Sequence, residues 1–448
     1  MRLLDWITAR IMEIRGGPGR SAPSRAPVET GQRSLGPPPL SAAADDPRRR
    51  NWTMRAGWLI DGSGGPIRPN VRLEILEGTF RTIKDAHAPS AGTSETTLDG
   101  DHDFSACTVL PGLVDSHVHL AMAGSMDEAL RTRLRQAPVE VVLRTIQENL
   151  REYLRHGVVA VRDGGGARGN ALRFSKGVQG RAAQPVRVFA AGRAWHGAGR
   201  YGRRIGRPPL AGKSLAASIL TDDSPCDLVK VVNSGVNSLS EFGRRTAPQF
   251  SLEEMTAAAQ AARRRGLHMM VHANGEEPVR IAVLAGCRSV EHGFFMGPEN
   301  LARMAEKAVF WVPTVVPLQA YAEHLAQTDR RSAVARRTVA HQLDQLRQAR
   351  RLNVPVALGT DAGSPGVDHG PAVVAEMKLL MAAGFSLPEA VRCASFHGAI
   401  LTGSNFGRVA EGRPATFLVV PGGPSELPDS IRRIKAVYVD GRPVVTAG

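Results

Sequence analysis

Short apolar segments rich in β-forming residues alternate with helical patterns from residue 106 to residue 405, and this order limits the possible folds more than any other feature of the chain. Eight segments carry the pattern, and they read TVLPGLVDSHVHL, VVAVRDGGG, VRVFAAG, LVKVVNSG, HMMVHANG, SVEHGFF, FWVPTVV and VPVALGTDAG. Eight strands that alternate with helices match the strand count of a (β/α)8 barrel, whose usual length is about 250 residues. The sequence therefore predicts an α/β fold with a TIM barrel over 106-405.

Helix-start signals inside this region support the alternation. Ser251 with Glu254, and Ser386 with Glu389, fit the S-x-x-E capping box, in which both side chains accept hydrogen bonds from backbone N–H groups at a helix N-terminus. Gly266 follows the first of these helical patterns, where glycine commonly ends a helix. Each of the two helices is therefore predicted to begin after a serine cap.

The segments on either side of the predicted barrel, 54-105 and 406-448, contain short alternating strands separated by Asp-Gly turn signals. Neither segment alone can bury the face of a sheet, so we expect them to combine into one small composite β-sandwich in which the two ends of the chain meet. Residues 1-53 contain nine arginines and many prolines and glycines, which predicts a disordered basic extension. Met54 is an alternative start because the recognisable fold begins just after it.

Composition argues against several classes of protein. The net charge is +15, but the many arginines are spread along the chain and aromatic residues make up only 5%, which argues against a nucleic-acid surface. The four cysteines are far apart and form no CxxC, which favours a reducing, cytoplasmic compartment. There is no run of about eighteen apolar residues, so no membrane span is predicted. The sequence leaves open whether the chain forms a homo-oligomer.

The positions of the histidines indicate a metal site. His117 and His119 end the first predicted strand as H-x-H, and alternation along a strand directs both side chains to one face. His272, His292 and Asp361 end the fifth, sixth and eighth strands. Because the carboxyl ends of barrel strands meet at one mouth, four imidazoles and a carboxylate should converge there, a set suited to Zn²⁺ or a similar divalent ion.

Lys230 adds a second signal. It lies among valines in LVKVVNSG, in a chain that has seven lysines among its 57 basic residues. Burial would cost several kcal/mol for an ammonium and would lower its pKa toward the neutral amine. A neutral amine can take up carbon dioxide to become a carbamate with two oxygens for two metal ions. The alternative is a lysine paired with an acidic neighbour.

These motifs resemble the amidohydrolase superfamily, and within it the binuclear subgroup with Xaa-Pro dipeptidase (prolidase-like) and imidazolonepropionase-like members. The matching segments include PGLVDSHVHL, VVAVRDGGG, DLVKVVNSG, HMMVHANG, SVEHG and VALGTDAG, within a resemblance that covers about 55-448. It implies that a first metal is held by His117, His119 and Asp361, that a second is held by His272 and His292, and that carboxylated Lys230 bridges them. Mononuclear deaminase-type members lack this lysine, so the binuclear interpretation is favoured.

The resemblance implies a hydrolase of amide C–N bonds with a small-molecule substrate, in particular a dipeptide of the Xaa-Pro type or an N-acyl amino acid. Two divalent ions would lower the pKa of a bridging water, and Asp361 would serve as ligand and as the base that passes its proton to the leaving amine. Two alternatives stay open. One is hydrolysis of a cyclic amide (a lactam) or a phosphoester on the same binuclear centre, and the other is a non-catalytic scaffold, which the complete ligand set disfavours.

Three further residues are candidates for substrate binding. Prolidase-like members often read HAHG in the fifth strand where this chain has HANG, so Asn274 either binds substrate or forms a turn. His196 and Arg203 lie in GRAWHGAGRYGRRIGRPP, the loop after the third strand. Arginine there could bind a substrate carboxylate, or could be a solvated charge on an exposed loop. Arg162 and Asp163 are expected to pair structurally beneath the site.

Overall fold

The computed structural model describes residues 51–86, 101–178 and 185–446. Residues 1–50 of the predicted extension therefore lie outside the described part of the chain. The predicted extension ends at residue 53, but the first strand already begins at Trp52, which is buried. Residues 52 and 53 therefore belong to the folded part of the chain. No helix of the described residues has the length and apolar character needed to cross a membrane.

The central region is a mixed α/β structure with parallel strands, as the sequence predicts. A three-stranded parallel sheet has the order β5-β6-β7. Its strands are β5 (Leu113–Val118), β6 (Val158–Asp163) and β7 (Arg187–Ala190). A six-stranded parallel sheet has the order β13-β12-β11-β10-β8-β9. Its strands are β8 (Ala194–Trp195), β9 (Gly206–Arg207), β10 (Val229–Val232), β11 (Met269–Ala273), β12 (Ser289–His292) and β13 (Phe310–Val312).

Within the described ranges, regular strand pairing does not close these two sheets into one barrel. The third predicted strand, VRVFAAG, forms β7, and β8 follows it within the predicted loop and pairs in the other sheet. The eighth predicted strand, VPVALGTDAG, forms only isolated bridges, from Val356 to Trp311 of β13 and from Ala362 to Val118 of β5. Asp361, which lies between these two bridged positions, has a left-handed backbone with a φ of 55°. The VPVALGTDAG segment nevertheless lies between β5 and β13, the first and the last strand of the parallel region.

Helices connect the parallel strands and pack their apolar faces against them. They are α1 (Glu128–Gln136), α2 (Val139–Arg155), α3 (Asn170–Val178), α4 (Leu215–Leu220), α5 (Leu252–Arg264), α6 (Glu276–Leu284), α7 (Pro298–Glu306), α8 (Val316–His324), α9 (Arg330–Arg351), α10 (Pro371–Ala382), α11 (Leu387–Ala394) and α12 (Phe396–Thr402). Both predicted capping boxes are confirmed, with Ser251 capping α5 and Ser386 capping α11. Gly266 follows α5 with φ 71°, as its position after the helix predicted.

The two flanks of the chain share a single seven-stranded sheet with the order β16-β15-β14-β4-β1-β2-β3. Its strands are β1 (Trp52–Leu59), β2 (Arg68–Leu76), β3 (Thr79–Asp85), β4 (Asp101–Pro111), β14 (Phe417–Pro421), β15 (Ala436–Val439) and β16 (Arg442–Thr446). The long strand β4 pairs with β1 on one side and with β14 on the other. One sheet thus accommodates both flanks, where we expected a two-sheet sandwich, and the described parts of the two flanks meet where β4 pairs with β14.

Candidate metal centre

The structure brings three of the predicted metal ligands into one cluster. His117 lies in β5, His119 follows that strand, and Asp361 lies in the bridging segment beside it. Asp361 Oδ1 is 3.3 Å from His119 Nε2 and 3.6 Å from His117 Nε2. One ligand atom from each residue falls within 4.8 Å of the others, so the three could hold a metal ion.

The other two predicted histidines adjoin this cluster. His272 lies in β11 and His292 ends β12, and their ring centroids are 4.5 Å apart. The His292 ring is 4.9 Å from that of His117, so the four imidazoles form a continuous group at the carboxyl ends of the parallel strands. His292 has a φ of 68°. A left-handed backbone is uncommon for non-glycine residues and is frequent at functional sites.

Hydrogen bonds on the outer side of each ring determine which nitrogen faces the cluster. His117 Nδ1 donates to Glu291 Oε2 at 2.7 Å, because an ionised carboxylate can only accept. His119 Nδ1 donates to the Gly165 carbonyl at 2.8 Å. In its neutral form each of these histidines therefore keeps the lone pair of Nε2 for a further ligand, which is the arrangement found around metal-binding histidines.

The second pair of histidines is held in the same manner. His272 Nε2 lies 3.1 Å from the Gly235 carbonyl, which leaves Nδ1 as the ligand atom of that ring. His292 Nδ1 lies 2.6 Å from Thr314 Oγ1. Thr314 itself has a left-handed φ of 45°. Outer partners thus orient all four imidazoles.

The electrostatic environment keeps most of these rings neutral, as metal ligation requires. Burial and the charge of Lys230 lower the pKa of His117 to about 4 and that of His272 to about 3. Burial and the neighbouring imidazoles hold the pKa of His292 well below its usual range. Burial opposes protonation of His119 as well, but its hydrogen bond with Asp361 raises its pKa.

Asp361 is ionised in this environment. Burial by itself would raise its pKa, but the hydrogen bond from His119 and the neighbouring histidines lower the pKa far below the ordinary value. Its Oδ2 accepts a hydrogen bond of 2.9 Å from Ser364 Oγ, and Oδ1 faces His117 and His119. The carboxylate is therefore held in a fixed orientation with its charge directed at the imidazoles.

Lys230 lies in β10 and is 1% exposed. Its Nζ is buried without a hydrogen-bond partner among the described residues. Burial lowers its pKa to about 8, although Glu291 and Asp361 favour the charged form. A buried amine without a partner costs stability unless another group completes its environment, so this orphaned atom fits a lysine that is modified or ligates an ion.

Glu291 was missed by sequence reasoning, and it replaces Asp163 as the partner of Arg162. Arg162 Nη2 donates to Glu291 Oε1 at 2.8 Å, and Arg162 Nε donates to the Ser116 carbonyl at 2.7 Å. Asp163 instead accepts from the backbone N–H groups of Leu120 and Gly165. The expected Arg162–Asp163 pair was therefore wrong. The motif SVEHG could have indicated the role of Glu291, since a charged residue inside a buried strand requires a partner.

The three candidate substrate residues lie in different surroundings. The Asn274 side chain accepts from the Phe294 N–H at 3.0 Å and lies 3.4 Å from the Gly235 carbonyl, so it organises the turn beside His272. His196 is buried, and its Nε2 has no partner within the described part of the chain. Arg203 is exposed. Tyr201, on the same loop, was not predicted, and its ring centroid lies 5.4 Å from that of His272.

The donor set fits divalent metal ions. It combines neutral imidazole nitrogens, an ionised carboxylate and a buried amine without a partner, and all of them are buried or nearly so. Gly164 leaves space next to the proposed ligand atom of His117, because a β-carbon at position 164 would lie 3.3 Å from His117 Nε2. Imidazole and carboxylate ligands are suited to Zn²⁺ and similar divalent metals.

Comparison with known families agrees with this donor set. The model of the amidohydrolase family matches residues 108–444. The chain belongs to the amidohydrolase family. Membership supports an enzyme that acts on C–N bonds, and the resemblance noted in the sequence is confirmed.

Several of the proteins to which this amidohydrolase is similar are hydrolases. A solved Xaa-Pro dipeptidase with methionine in its active site has a TM-score of 0.72 at 25% identity, and the match covers 88% of this chain and 99% of that one. Ochratoxinase from Aspergillus niger is 24% identical, over 87% of this chain and 84% of that protein. Imidazolonepropionase from Syntrophobacter fumaroxidans is 25% identical, over 79% of this chain and 84% of that protein.

Proposed function

We propose that this amidohydrolase uses a binuclear metal centre to cleave the amide bond of a dipeptide of the Xaa-Pro type or of an N-acyl amino acid. The observation that carries the proposal is the Lys230 amine, buried without a hydrogen-bond partner among the described residues. It interacts electrostatically with Glu291 and Asp361. An ordinary structural lysine at such a position would have a paired acidic neighbour.

The ligands divide into two groups that share Lys230. His117, His119 and Asp361 would hold the first ion, and His272 and His292 the second. Carboxylation of Lys230 would convert its amine into a carbamate whose two oxygens could each reach one ion. Zn²⁺ is the metal that these ligands favour. When bound, such ions activate water and polarise a carbonyl group.

The residues of the chain would supply orientation and proton transfer. Asp361 is ionised and held by Ser364, so one of its carboxylate oxygens can accept a proton from the attacking water and return it to the leaving nitrogen. Glu291 fixes the tautomer of His117 through Nδ1. The loop after β8 carries His196 and Arg203, and Arg203 would bind a substrate carboxylate bidentately.

A cyclic amide is a second candidate substrate. One relative is named an imidazolonepropionase, and it matches 79% of this chain. Hydrolysis of a ring amide would require the same proton transfer by Asp361. A phosphoester hydrolase and a non-catalytic scaffold have no observation of their own in their favour, and the complete donor set argues against the scaffold.

We also propose that the parallel strands complete a (β/α)8 barrel with bounds near 106-405, and that 54-105 with 406-448 forms a composite β-domain. Backbone hydrogen bonds support closure at the eighth position. The Ser116 N–H donates to the Leu358 carbonyl at 2.9 Å, and the Trp311 N–H donates to the Pro355 carbonyl at 2.9 Å. The segment before Asp361 thus contacts both neighbouring strands.

The function is tested by metal analysis and by turnover of a substrate library. The full chain, expressed with added Zn²⁺ and bicarbonate, should contain about two metal ions and should hydrolyse dipeptides, acylated amino acids or lactams. Lys230→Ala should lose both properties. Lys378→Ala is the matched control, because Lys378 is exposed and pairs with Asp429. Wild-type turnover by Lys230→Ala would contradict the proposed bridge, and absence of metal from the wild type would favour the scaffold.

A further inference from the structure

A cavity of about 260 Å³ lies on the side of the parallel strands opposite the candidate metal centre. Most of its lining residues lie at or just before the beginnings of strands: Leu228 precedes β10, Met269 begins β11 and Arg288 precedes β12. The metal ligands, by contrast, lie at the carboxyl ends. In barrel enzymes the amino-terminal face carries stability and not catalysis, so this cavity is separate from the catalytic mouth.

Arg288 is the charged residue in this cavity that lacks compensation. Its guanidinium lies over the Phe310 ring, with Cζ 5.1 Å from the ring centroid. Its Nε is buried without a hydrogen-bond partner, and no ion pair of Arg288 is present within the described residues. A buried donor without an acceptor is costly, whereas an oxyanion at the edge of the guanidinium would satisfy it.

The other charged residues of the lining are already paired and cannot neutralise Arg288. Arg162 uses its donors on the Ser116 carbonyl, on Ser289 and on Glu291. Asp227 Oδ1 accepts a hydrogen bond of 2.7 Å from Lys176, and Oδ2 accepts one of 2.9 Å from the Ala190 N–H. The cavity thus presents excess positive charge, and His268 at its edge adds a polar group.

The remaining walls are largely apolar and include Phe189, Leu228, Met270 and Leu401. Small-molecule sites usually have volumes of about 300–1,000 Å³, and this cavity of about 260 Å³ lies just below that range, so it suits a small ligand. We propose that it binds a small organic carboxylate. The carboxylate accepts hydrogen bonds from Arg288, and its apolar body packs between Phe189 and Met270.

The site is tested by calorimetric titration of the full, metal-supplemented chain with benzoate, with the neutral isostere benzamide and with inorganic phosphate. Wild type should bind benzoate saturably and should not bind benzamide. Arg288→Gln should weaken benzoate binding at least tenfold. Arg264→Gln is the control, since Arg264 is an exposed arginine in the last turn of α5 and does not line the cavity.

A second variant keeps the test independent of Arg288. Phe189→Trp retains the guanidinium but fills the cavity, and it should also abolish benzoate binding. Thermal melts of both variants verify that they fold. If benzoate binds at the metal centre instead of this cavity, Arg288→Gln should bind it as tightly as wild type does. That result would overturn the proposal. Tighter binding of phosphate than of benzoate overturns the assignment of an apolar ligand.

Discussion

Asp361 combines a strained backbone with an ionised carboxylate at the centre of the imidazole cluster. Its φ is 55°, and its Oδ1 lies 3.3 Å from His119 Nε2. Asp361→Asn keeps the shape of the side chain but removes the proton acceptor. We expect turnover to fall by about 10²–10⁴-fold with an unchanged circular dichroism spectrum, since general bases contribute rate enhancements of that size. Turnover within threefold of wild type would show that Asp361 is not the base.

Glu291 connects a proposed metal ligand to a buried arginine. It accepts from His117 Nδ1 at 2.7 Å and from Arg162 Nη2 at 2.8 Å. Burial opposes its ionisation, but Arg162 and the hydrogen bond from His117 lower the pKa of Glu291 to about 2. Glu291→Gln would leave the charge of Arg162 buried and uncompensated.

We therefore expect Glu291→Gln to lower the free energy of unfolding by about 3–5 kcal/mol, as when one partner of a buried ion pair is removed. Metal affinity should fall by about 10–100-fold, because His117 loses the group that orients it. Urea unfolding measures the first effect and competition with a chelator measures the second. Glu299→Gln, which removes an exposed partner of Arg303, is the control and should change neither.

At the scale of elements, a carboxyl group from α10 caps another helix. Glu376 is fully buried and accepts from the Val315 and Val316 N–H groups, at the start of α8. Val315 has no side-chain oxygen to serve this purpose. A tertiary contact thus replaces the usual local cap, which explains why no Ser, Thr, Asp or Asn stands at the N-cap of α8.

Burial raises the pKa of Glu376 from 4.5 to about 8. Between these values the folded protein keeps a proton that the unfolded chain releases, so the contribution of Glu376 to stability falls as pH rises, by about 1.4 kcal/mol per pH unit. The difference between the unfolding free energies of wild type and Glu376→Gln, measured from pH 5 to pH 8, should show this slope. Exposed Glu323→Gln should show none, and a flat difference for Glu376→Gln would contradict the raised pKa.

At the scale of the whole molecule, the flanks close the chain on itself through one sheet. Trp52 is 4% exposed, and its ring centroid lies 4.9 Å from that of Tyr438 in the C-terminal flank. A variant that starts at Met54 lacks this contact, whereas one that starts at Asn51 retains it. We expect the shorter variant to lose about 3–5 kcal/mol, as for a buried tryptophan replaced by alanine.

Chemical denaturation of the two truncated variants measures this difference. Turnover of the variant that starts at Asn51 should equal that of the full chain, because every proposed ligand lies beyond residue 100. Equal stability of the two variants would show that Trp52 does not contribute to the core. Lost turnover in the longer variant would show that residues 1–50 take part in the site.

Much of the site could be predicted because it depends on local patterns. The H-x-H pair, the histidines at strand ends and the lone Lys230 in a valine-rich strand are visible in sequence order. Glu291 could not be recognised with equal ease, because its partners Arg162 and His117 are 129 and 174 residues away along the chain. Local periodicity carries no information about such distant pairs.

The sequence by itself determined the α/β alternation, the helix caps at Ser251 and Ser386, the family and the residues that are candidates for metal binding. It could do so because each of these depends on side-chain type at short spacing. Only the tertiary structure decided that the flanks form one sheet, that β7 and the following β8 pair in different sheets and that Glu291 pairs with Arg162. Those outcomes depend on which backbone and charged groups meet across the fold. Buried polar groups require partners, and these partners are distant in the sequence, so local patterns do not identify them.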